Sequence, residues 1–378
     1  MKKRITIAYC YPEPLPSDQA RSIQVMNTCC ALAAQVERVI FYLPAGQSSI
    51  DDIFSFYGLT QPANLEIRRL RTSLGPLKSN RFFNRSLQKH LKTDVPDLII
   101  SRHLKTANGL LKLSTPVIFE AHEVFSTKQA QAVKNRMLEQ RVFAQARGIM
   151  YLSRPLAQTL EAEYAPKATV AIVPSGTEVP PTLPEKNTPG ERFLVTYMGT
   201  TRYAWKGVAT LFDAMEYLPD RIGLEIIGSL DPSLASHRMV APLSAAGRLE
   251  VTGHLPPQQA HGRLLQARVA VVPNSGLEAI SRYYTSPLKL LEAMAAGAAI
   301  VASDLPSIRE IVTEKEAILV TPDDPKALAE GIRSMVEDLA LRRELTHRAW
   351  LRVQDFSWPS RAKKIVNLAH EVLRHDTA

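Results

Sequence analysis

Several features are scarce in this chain of 378 residues, and each scarcity excludes a class of protein. Three cysteines, an odd number without metal-ligand spacing, predict neither a disulfide framework nor a zinc site. We therefore expect Cys10, Cys29 and Cys30 to be reduced, core-filling thiols, as in a cytoplasmic protein. No run of about 18 apolar residues occurs, so a membrane-spanning helix is not expected. The start "MKKRITIAYCYPEP" ends its short apolar run in prolines and predicts a first strand rather than a signal peptide.

Nucleotide-binding motifs with fixed glycine spacing are absent as well. No G-x-G-x-x-G follows the first strand, which argues against a dinucleotide dehydrogenase, and the G-x-x-x-x-G-K-[ST] phosphate loop is missing. Basic residues, in contrast, are in excess: 46 Lys and Arg stand against 37 Asp and Glu, a net charge of +9. This excess indicates an anionic partner, which charge alone leaves open among nucleic acid, a lipid surface and a phosphorylated metabolite.

Short β-rich runs alternate with helical patterns along the whole chain, which predicts an α/β fold with parallel sheets covered by helices. The proline-rich segment "PSGTEVPPTLPEKNTPGER" interrupts this alternation and predicts a linker. We therefore expect two doubly wound domains, 1–175 and 176–358, and a terminal helix, 359–378, able to cross back to the first domain. In such sheets ligands bind beyond the carboxyl ends of the strands. The predicted strands are 5–9, 38–43, 65–70, 98–101, 117–120, 148–152, 169–173, 194–198, 223–227, 249–252, 270–272, 300–302 and 318–320.

The stretch "SPLKLLEAMAAG" predicts a helix whose beginning binds phosphate. Ser286 is a favoured N-cap and Pro287 suits the first helical position. The N–H groups of Leu288 and Lys289 then point outward at the positive end of the helix dipole, where an anion is stabilised. Glu292 lies one turn beyond Leu288 and can accept hydrogen bonds from sugar hydroxyls. The alternative is a plain helix start with a solvated glutamate.

A second phosphate-binding element is predicted in "YMGTTRYAWKGVATLFDAM". A strand ends at Gly199, a loop carries Arg202 and Lys206, and a helix begins near Gly207. A lysine at a helix start opposite a strand end is a suitable counter-charge for phosphate. The alternative is a surface lysine in a loop.

The tract 68–92 contains eight Lys or Arg residues and no acid. On a helix its residues form a cationic and an apolar face, a pattern typical of contact with an anionic membrane or a phosphorylated lipid acceptor. A solvated face over a core stripe is the alternative, and nucleic acid is less favoured because no recognition motif accompanies the charge. The two faces consist of Arg81, Arg85 and Lys89, and of Phe83, Leu87 and Leu91.

Together these segments resemble the nucleotide-sugar glycosyltransferases of family 4, which have the GT-B fold of two Rossmann-like domains facing a cleft. The first half matches more loosely, through "DQARSIQVMNTCCALA", "DLIISRH" and "FEAHE". The second half matches in the family's order through "MGTTRYAWKGVATLFDAM", "LEVTGHLP", "SPLKLLEAMAAGAAIVASDLPSIREIV", "AILVTPDDPKALAEGI" and "FSWPSRAKKI".

The resemblance implies a retaining, hexosyltransferase-like enzyme that transfers a sugar from a nucleoside diphosphate to an acceptor hydroxyl in cell-surface polysaccharide or glycolipid synthesis. It implies no metal and no cofactor beyond the donor, and a glycan or lipid-linked acceptor bound by the first domain. We expect a cytoplasmic protein, peripheral at the inner face of the membrane, without a nucleic-acid partner. Two alternatives are a GT-B-like protein that binds a nucleotide or polyanion without transfer, and a sugar-nucleotide epimerase.

The resemblance also implies roles for individual residues. The donor-binding set is Gly199, Arg202, Lys206, Ser286, Pro287, Leu288 and Glu292, with Glu292 on the ribose hydroxyls. The catalytic candidates are Lys206 at the diphosphate and His122, which follows a strand end in "FEAHEV". Further candidates for the cleft are Arg102, Glu123, Tyr284 and Lys289. Tyr284 departs from the family, in which a glutamate often stands eight positions before the residue matching Glu292, and Thr200 replaces the usual basic residue after Gly199.

Overall fold

The structure is a computed structural model whose contacts divide the chain into two compact units. The first unit is Met1–Ser175 with Trp358–Ala378, and the second is Gly176–Ser357, which differs from the expected boundaries by one residue at the terminal helix. Each unit is described by itself. The described residues are 3–74, 77–78, 80–127, 131–186 and 193–376.

A seven-stranded sheet forms the centre of the first unit, with the strand order β3-β2-β1-β6-β7-β8-β9 and every neighbouring pair parallel. The seven strands confirm those predicted for this half within two residues at either end. A short antiparallel hairpin, β4 with β5, was not predicted. The strands are β1 Lys3–Cys10, β2 Val36–Pro44, β3 Leu65–Leu70, β4 Ser73–Leu74, β5 Leu77–Lys78, β6 Leu98–Ser101, β7 Val117–Ala121, β8 Gly148–Tyr151 and β9 Thr169–Ile172.

Helices cover both faces of this sheet because side chains alternate along each strand. In β1, Ile7 and Tyr9 join the apolar cluster on one face, whereas Ala8 and Cys10 join the cluster on the other. The terminal helix packs against α1, β8 and β9. The helices of this unit are α1 Ala20–Ala33, α2 Ile50–Tyr57, α3 Asn80–Thr93, α4 Leu104–Leu110, α5 Ala132–Gln145, α6 Arg154–Tyr164 and α15 Trp358–Asp376.

The second unit contains a six-stranded parallel sheet with the strand order β12-β11-β10-β13-β14-β15. Its strand order reverses between β10 and β13, and such a switch point is where doubly wound sheets bind ligands. The strands are β10 Phe193–Met198, β11 Ile222–Ile227, β12 Leu249–Val251, β13 Val269–Val272, β14 Ala299–Ser303 and β15 Ala317–Val320. The helices are α7 Val208–Ala214, α8 Pro232–Ala235, α9 Val240–Ala245, α10 Pro257–Leu264, α11 Leu288–Ala295, α12 Pro306–Arg309, α13 Pro325–Glu337 and α14 Leu339–Val353.

The cysteines contribute to packing, as predicted. Cys10 and Cys29 are fully buried, Cys30 is partly buried, and all three are free thiols. Burial raises the pKa of the Cys30 thiol to about 12, so the thiol remains protonated and unreactive near neutral pH. In the part of the chain that the structure describes, no helix is both long and apolar enough to cross a membrane.

The basic tract 68–92 spans the end of a strand, the short antiparallel pair and a helix. Arg68 lies in β3, the hairpin follows, and α3 begins at Asn80. The predicted division of this helix into faces is confirmed: Phe83, Leu87 and Leu91 are buried, whereas Arg81, Arg85 and Lys89 are exposed. The apolar face therefore belongs to the core of the unit and is not available for insertion into a membrane.

Candidate functional site

The carboxyl end of β10 is shaped by two glycines whose backbones lie in contact. Gly199 follows the strand with φ of +145°, and Gly228 follows β11 with φ of +144°. A Cβ atom on Gly228 would lie 2.5 Å from the Gly199 carbonyl oxygen, so a side chain cannot be accommodated there. The contact holds the ends of β10 and β11 close together.

The loop that carries Lys206 is fixed against the end of β13. Gly207 has φ of +67°, and a Cβ atom there would lie 1.8 Å from the Pro273 carbonyl oxygen. The Ser275 N–H donates a hydrogen bond of 2.9 Å to the Trp205 carbonyl. Gly207 is also the N-cap of α7, which confirms the predicted helix start. This packing holds Lys206 at the edge of the sheet.

Lys206 is a desolvated cation. Burial lowers the pKa of Lys206 to about 8, and the positive charge of Lys289 acts in the same direction. Its ammonium lies 4.0 Å from the centroid of the Trp205 ring, a cation–π contact. Among the described residues no carboxylate forms an ion pair with Lys206. An anion bound beside it would therefore be strongly attracted.

The prediction that Ser286 is the N-cap of the next helix is wrong by one residue. Pro287 is the N-cap of α11, since its backbone is extended and its carbonyl accepts a 3.0 Å hydrogen bond from Leu290 N–H. Leu288 is therefore the first helical residue. No hydrogen bond from the N–H of Leu288 or Lys289 occurs among the described residues, so both donors remain at the positive end of the helix.

Glu292 is held by Lys289, one turn before it on the same helix. The Lys289 Nζ atom lies 3.1 Å from Glu292 Oε2, and the Glu292 side chain is 19% exposed. A Cβ atom built on Gly199 would lie 3.8 Å from Lys289 Cγ, which places this lysine beside the end of β10. Lys289 thus links the carboxylate to the edge where Lys206 lies.

Asn274 belongs to this arrangement and was missed in the sequence. It is 3% exposed, and its Nδ2 atom has no hydrogen-bond partner. With Lys206, Pro287 and Lys289 it lines a cavity of about 20 Å³. The sequence could have indicated Asn274 through its position directly after the apolar run "VAVVP", at the carboxyl end of β13.

Six predicted residues do not line this cavity: Gly199, Arg202, Tyr284, Ser286, Leu288 and Glu292. The Arg202 side chain is exposed, and its backbone N–H donates to Thr200 Oγ1 at 3.3 Å. Tyr284 ends a π-helical turn, Ile280–Tyr284, with its ring 6.2 Å from that of Tyr283. Neither side chain lines the cavity beside Lys206, so a role for either at the donor remains a prediction.

The first unit has a larger cavity at the equivalent edge of its own sheet, where the strand order reverses between β1 and β6. Its volume is about 440 Å³. Arg102 after β6 and His122 with Glu123 after β7 all line it. The structure therefore brings together the three residues of this half that the sequence singled out.

The surroundings of His122 favour its neutral form. Burial lowers the pKa of His122, and the Arg102 charge lowers it further, against the opposing effect of Glu123. Its Nε2 atom lies 3.5 Å from Glu123 Oε1, and the edge of its ring contacts Phe125 with centroids 5.2 Å apart. A neutral imidazole in this position can accept a hydrogen bond from a hydroxyl group.

Arg102 is both a cation on the cavity wall and a member of a buried ion pair. It is 5% exposed, and its Nη1 atom lies 3.9 Å from Glu120 Oε1. The same Nη1 donates a long hydrogen bond of 3.4 Å to the Arg21 carbonyl.

Two protein-family models and several curated proteins match the sequence of this chain. The family model "Glycosyl transferases group 1" matches residues 192–338, and the model "Glycosyltransferase Family 4" matches residues 22–179. A phosphatidyl-myo-inositol mannosyltransferase of Mycobacterium tuberculosis is 29% identical over 189 residues, which are 47% of this chain and 47% of the relative. The chain thus spans about half the length of the curated relatives that it matches.

Solved structures resemble the chain over nearly its whole length. Sucrose-phosphate synthase of Thermosynechococcus elongatus has a TM-score of 0.77 at 20% identity, covering 98% of this chain and 100% of its own. HepE of Anabaena, in complex with UDP and glucose, has a TM-score of 0.73 at 15% identity, with coverages of 97% and 100%. These likenesses show the fold, and the two family models together match most of both units. The chain belongs to the group 1, family 4 glycosyltransferases and has the GT-B fold.

Proposed function

We propose that this protein is a retaining glycosyltransferase that moves a hexosyl group from a nucleoside diphosphate donor to an acceptor hydroxyl in polysaccharide or glycolipid synthesis. The observation that carries the proposal is the placement of Lys206, Pro287 and Lys289 around one cavity at the switch-point edge of the second sheet, with Glu292 in contact with Lys289. The relative named as a mannosyltransferase and the neighbour that holds UDP and glucose support it.

In this proposal the second unit binds the donor. The diphosphate lies against the Lys206 ammonium and the N–H groups of Leu288 and Lys289, where the helix dipole favours an anion. Glu292 accepts hydrogen bonds from the ribose hydroxyls, while its contact with Lys289 fixes the carboxylate. The donor phosphates raise the pKa of Lys206 from about 8, so the lysine is charged in the complex.

The chemical step transfers the anomeric carbon from a phosphate oxygen to an acceptor oxygen on the same face of the sugar. As the bond to the diphosphate breaks, negative charge grows on the leaving oxygen, and Lys206 with the α11 N–H groups stabilises that charge. The leaving phosphate oxygen takes the acceptor proton, so no strong protein base is required. The protein cations take the place of a divalent ion, and no cofactor beyond the donor enters the reaction.

A panel of radiolabelled nucleotide sugars tests this proposal. We expect slow hydrolysis of one donor, or transfer when an acceptor is present, and we expect Glu292→Ala to weaken donor binding about tenfold through loss of the ribose contacts. Tight nucleotide binding without turnover of any donor would contradict transfer, and interconversion of the free donor would indicate an epimerase instead.

The pH dependence of turnover tests whether neutral His122 positions the substrate by accepting a hydrogen bond from a hydroxyl group that does not react. Because the pKa of His122 is lowered, it becomes protonated only below its usual value of about 6.5, and kcat/KM should fall as the pH decreases through that lowered pKa. We expect His122→Ala to reduce kcat about a hundredfold and to remove this acid limb. The exposed His347→Ala variant is the control. An unchanged acid limb in His122→Ala would show that another group titrates.

The cationic face of α3 is proposed to hold the enzyme at the cytoplasmic face of an anionic membrane. Its apolar residues are buried, so contact rests on charge: Arg81, Arg85 and Lys89 each contribute about 1 kcal/mol near an anionic surface. Replacing all three by glutamine should weaken binding to phosphatidylserine vesicles roughly a hundredfold, with less effect at high salt. Cosedimentation measures this, and equal binding by the variant would reject the membrane role. The control variant neutralises three exposed cations of the second unit, Lys315, Lys326 and Arg343.

A further inference from the structure

The cavity of the first unit has a buried cation on its wall, and the charges around it indicate what it binds. We infer that this cavity is the acceptor site and that the acceptor carries a phosphate or carboxylate group beside the hydroxyl that receives the sugar. The inference rests on the proposed transfer reaction and specifies its second substrate. It is carried by Arg102 and by the way the neighbouring carboxylates are already paired.

Arg102 has few partners for an arginine that is only 5% exposed. A guanidinium offers five N–H donors. Among the described residues, the contacts of Arg102 are the 3.4 Å hydrogen bond to the Arg21 carbonyl and the 3.9 Å approach to Glu120. A buried charge is costly unless it is paired and hydrogen-bonded, so an anion in the cavity would supply the missing partner.

Glu120 cannot fill that role because other groups already hold it. Arg361 Nη2 lies 3.2 Å from Glu120 Oε1, nearer than Arg102. Tyr9 Oη donates to Glu120 Oε2 at 2.8 Å, and Gln24 Nε2 donates to Oε1 at 2.9 Å. One carboxylate thus stands between two guanidiniums, which leaves one positive charge, and Arg102 is the member that lines the cavity.

The other charged side chains of the cavity wall do not cancel the positive charge of Arg102. Glu13 accepts hydrogen bonds from Arg21 Nε at 2.7 Å and from Tyr11 Oη at 3.1 Å. Glu123 lies beside His122. Lys105, in the first turn of α4, adds a further cation. Among the described lining residues, three cations therefore face two carboxylates, so the net charge of the wall is positive.

The size of the cavity and the shape of the guanidinium restrict the chemical class of ligand that this site can bind. A volume of about 440 Å³ lies in the range of sites for small organic molecules, and exceeds what an inorganic anion alone requires. The planar fork of Arg102 matches the paired oxygens of a phosphate or a carboxylate. His122 on the same wall can accept a hydrogen bond from a hydroxyl. An acidic sugar or a sugar phosphate, free or lipid-linked, has this combination of groups.

Calorimetric titration of the full-length chain without donor tests the inference. The probes are inorganic phosphate, glucose 6-phosphate, glucuronic acid and neutral glucose, each at millimolar concentrations. We expect one or more anionic probes to bind and glucose to bind at least about tenfold more weakly, since a charge-assisted hydrogen bond contributes that much. Preference for glucose 6-phosphate or for glucuronic acid decides between a phosphate and a carboxylate acceptor.

Matched variants assign the binding to the cavity. Arg102→Gln should weaken anion binding about tenfold or more, and Lys105→Ala should weaken it less, whereas the exposed Lys112→Gln on the same unit should bind as wild type. Arg102→Lys retains the positive charge beside Glu120 and therefore controls for misfolding caused by loss of that charge. It should bind anions more tightly than Arg102→Gln and more weakly than wild type. No anion binding, or anion binding that Arg102→Gln and Lys105→Ala leave unchanged, would overturn the inference.

Variants in the two units distinguish anion binding by Arg102 from anion binding by Lys206. Anions can also bind beside Lys206, so binding that persists in Lys206→Ala and is lost in Arg102→Gln belongs to the first unit. If the chain turned over a nucleotide sugar but bound no anion through Arg102, the acceptor assignment would fail while the proposed function stood. If anions bound through Arg102 but no donor were turned over, transfer itself would fail.

Discussion

Lys206→Ala is expected to lower kcat for sugar transfer by about 100- to 1,000-fold, the loss that follows removal of one charged or hydrogen-bonding group at a developing oxyanion. The lysine is held by the contact of Gly207 with Pro273, and the structure places no carboxylate among the described residues to neutralise it. In the proposed reaction its charge acts on the departing diphosphate in a desolvated environment, in which electrostatic stabilisation is strong.

Two further variants separate the charge of Lys206 from its packing. Lys206→Arg keeps the charge but not the shape, and should recover part of the lost rate. Lys315→Ala, an exposed lysine of the same unit, should retain wild-type turnover. Steady-state release of nucleoside diphosphate measures all three. A Lys206→Ala enzyme within about threefold of wild type would remove Lys206 from the catalytic step.

Arg361→Met is expected to lower the free energy of unfolding by about 3–5 kcal/mol, because it leaves the fully buried Glu120 without its nearest cation. Arg361 is 2% exposed and donates to the Val173 carbonyl at 2.8 Å, to the Pro174 carbonyl at 2.6 Å and to Thr28 Oγ1 at 3.1 Å. These contacts attach α15 to the first unit. Urea denaturation followed by circular dichroism measures the loss.

The pH dependence of that loss has a defined sign. Burial by itself raises the pKa of Glu120, but Arg361 and Arg102 outweigh it and hold the pKa below the usual value. A lowered carboxyl pKa contributes stability above the unfolded pKa of about 4.3, and this contribution is lost as the pH falls through the folded pKa. Removing Arg361 raises the pKa of Glu120, so acid unfolding of the variant should begin at a higher pH.

An exposed arginine of the same unit provides the control. Arg136 forms an ion pair with Glu163 at 64% exposure, and Arg136→Met should change stability by less than about 1 kcal/mol. Equal destabilisation by Arg136→Met and Arg361→Met would mean that Arg361 contributes as an ordinary surface residue, contrary to its contacts.

The central strands of the sheets were predictable because they are buried on both faces, and their sequences are therefore continuous apolar runs. "VAVV" and "AIVAS" are fully buried in β13 and β14, and no amphipathic pattern competes with these runs. The hairpin β4–β5 was missed because each strand has two residues, which is too short for a periodic signal. The predicted linker was recognised by its prolines, although part of it lies outside the described residues.

The site was predictable where its chemistry is local in sequence. Lys206, Leu288 and Glu292 follow from strand ends and a helix start, each read from a few neighbouring residues. The N-cap differed by one position because Ser286 and Pro287 are both compatible with a helix start, and the extended backbone of Pro287 decides between them. The contact of Arg361 with Glu120 joins residues distant along the chain, and no short-range pattern encodes it.

Asn274 and Lys289 show the same limit of sequence-based prediction at the proposed donor site. The unpartnered Asn274 Nδ2 becomes meaningful once β13 is known to end beside Lys206. Lys289 was expected to be a nearby cation, and its 3.1 Å contact with Glu292 depends on the side-chain directions along α11. In both cases the residue type was visible, whereas its partner was set by the tertiary structure.

Real-time NMR of one reaction mixture, containing the protein, a nucleotide sugar and an acceptor, tests transfer most directly. Phosphorus signals report the donor and the released nucleoside diphosphate, while the anomeric proton of the product reports the configuration of the new bond. We predict equimolar release of nucleoside diphosphate and formation of a glycoside with the anomeric configuration of the donor. A donor that stays intact with every acceptor, or that converts to another nucleotide sugar without release of diphosphate, would contradict the proposed function.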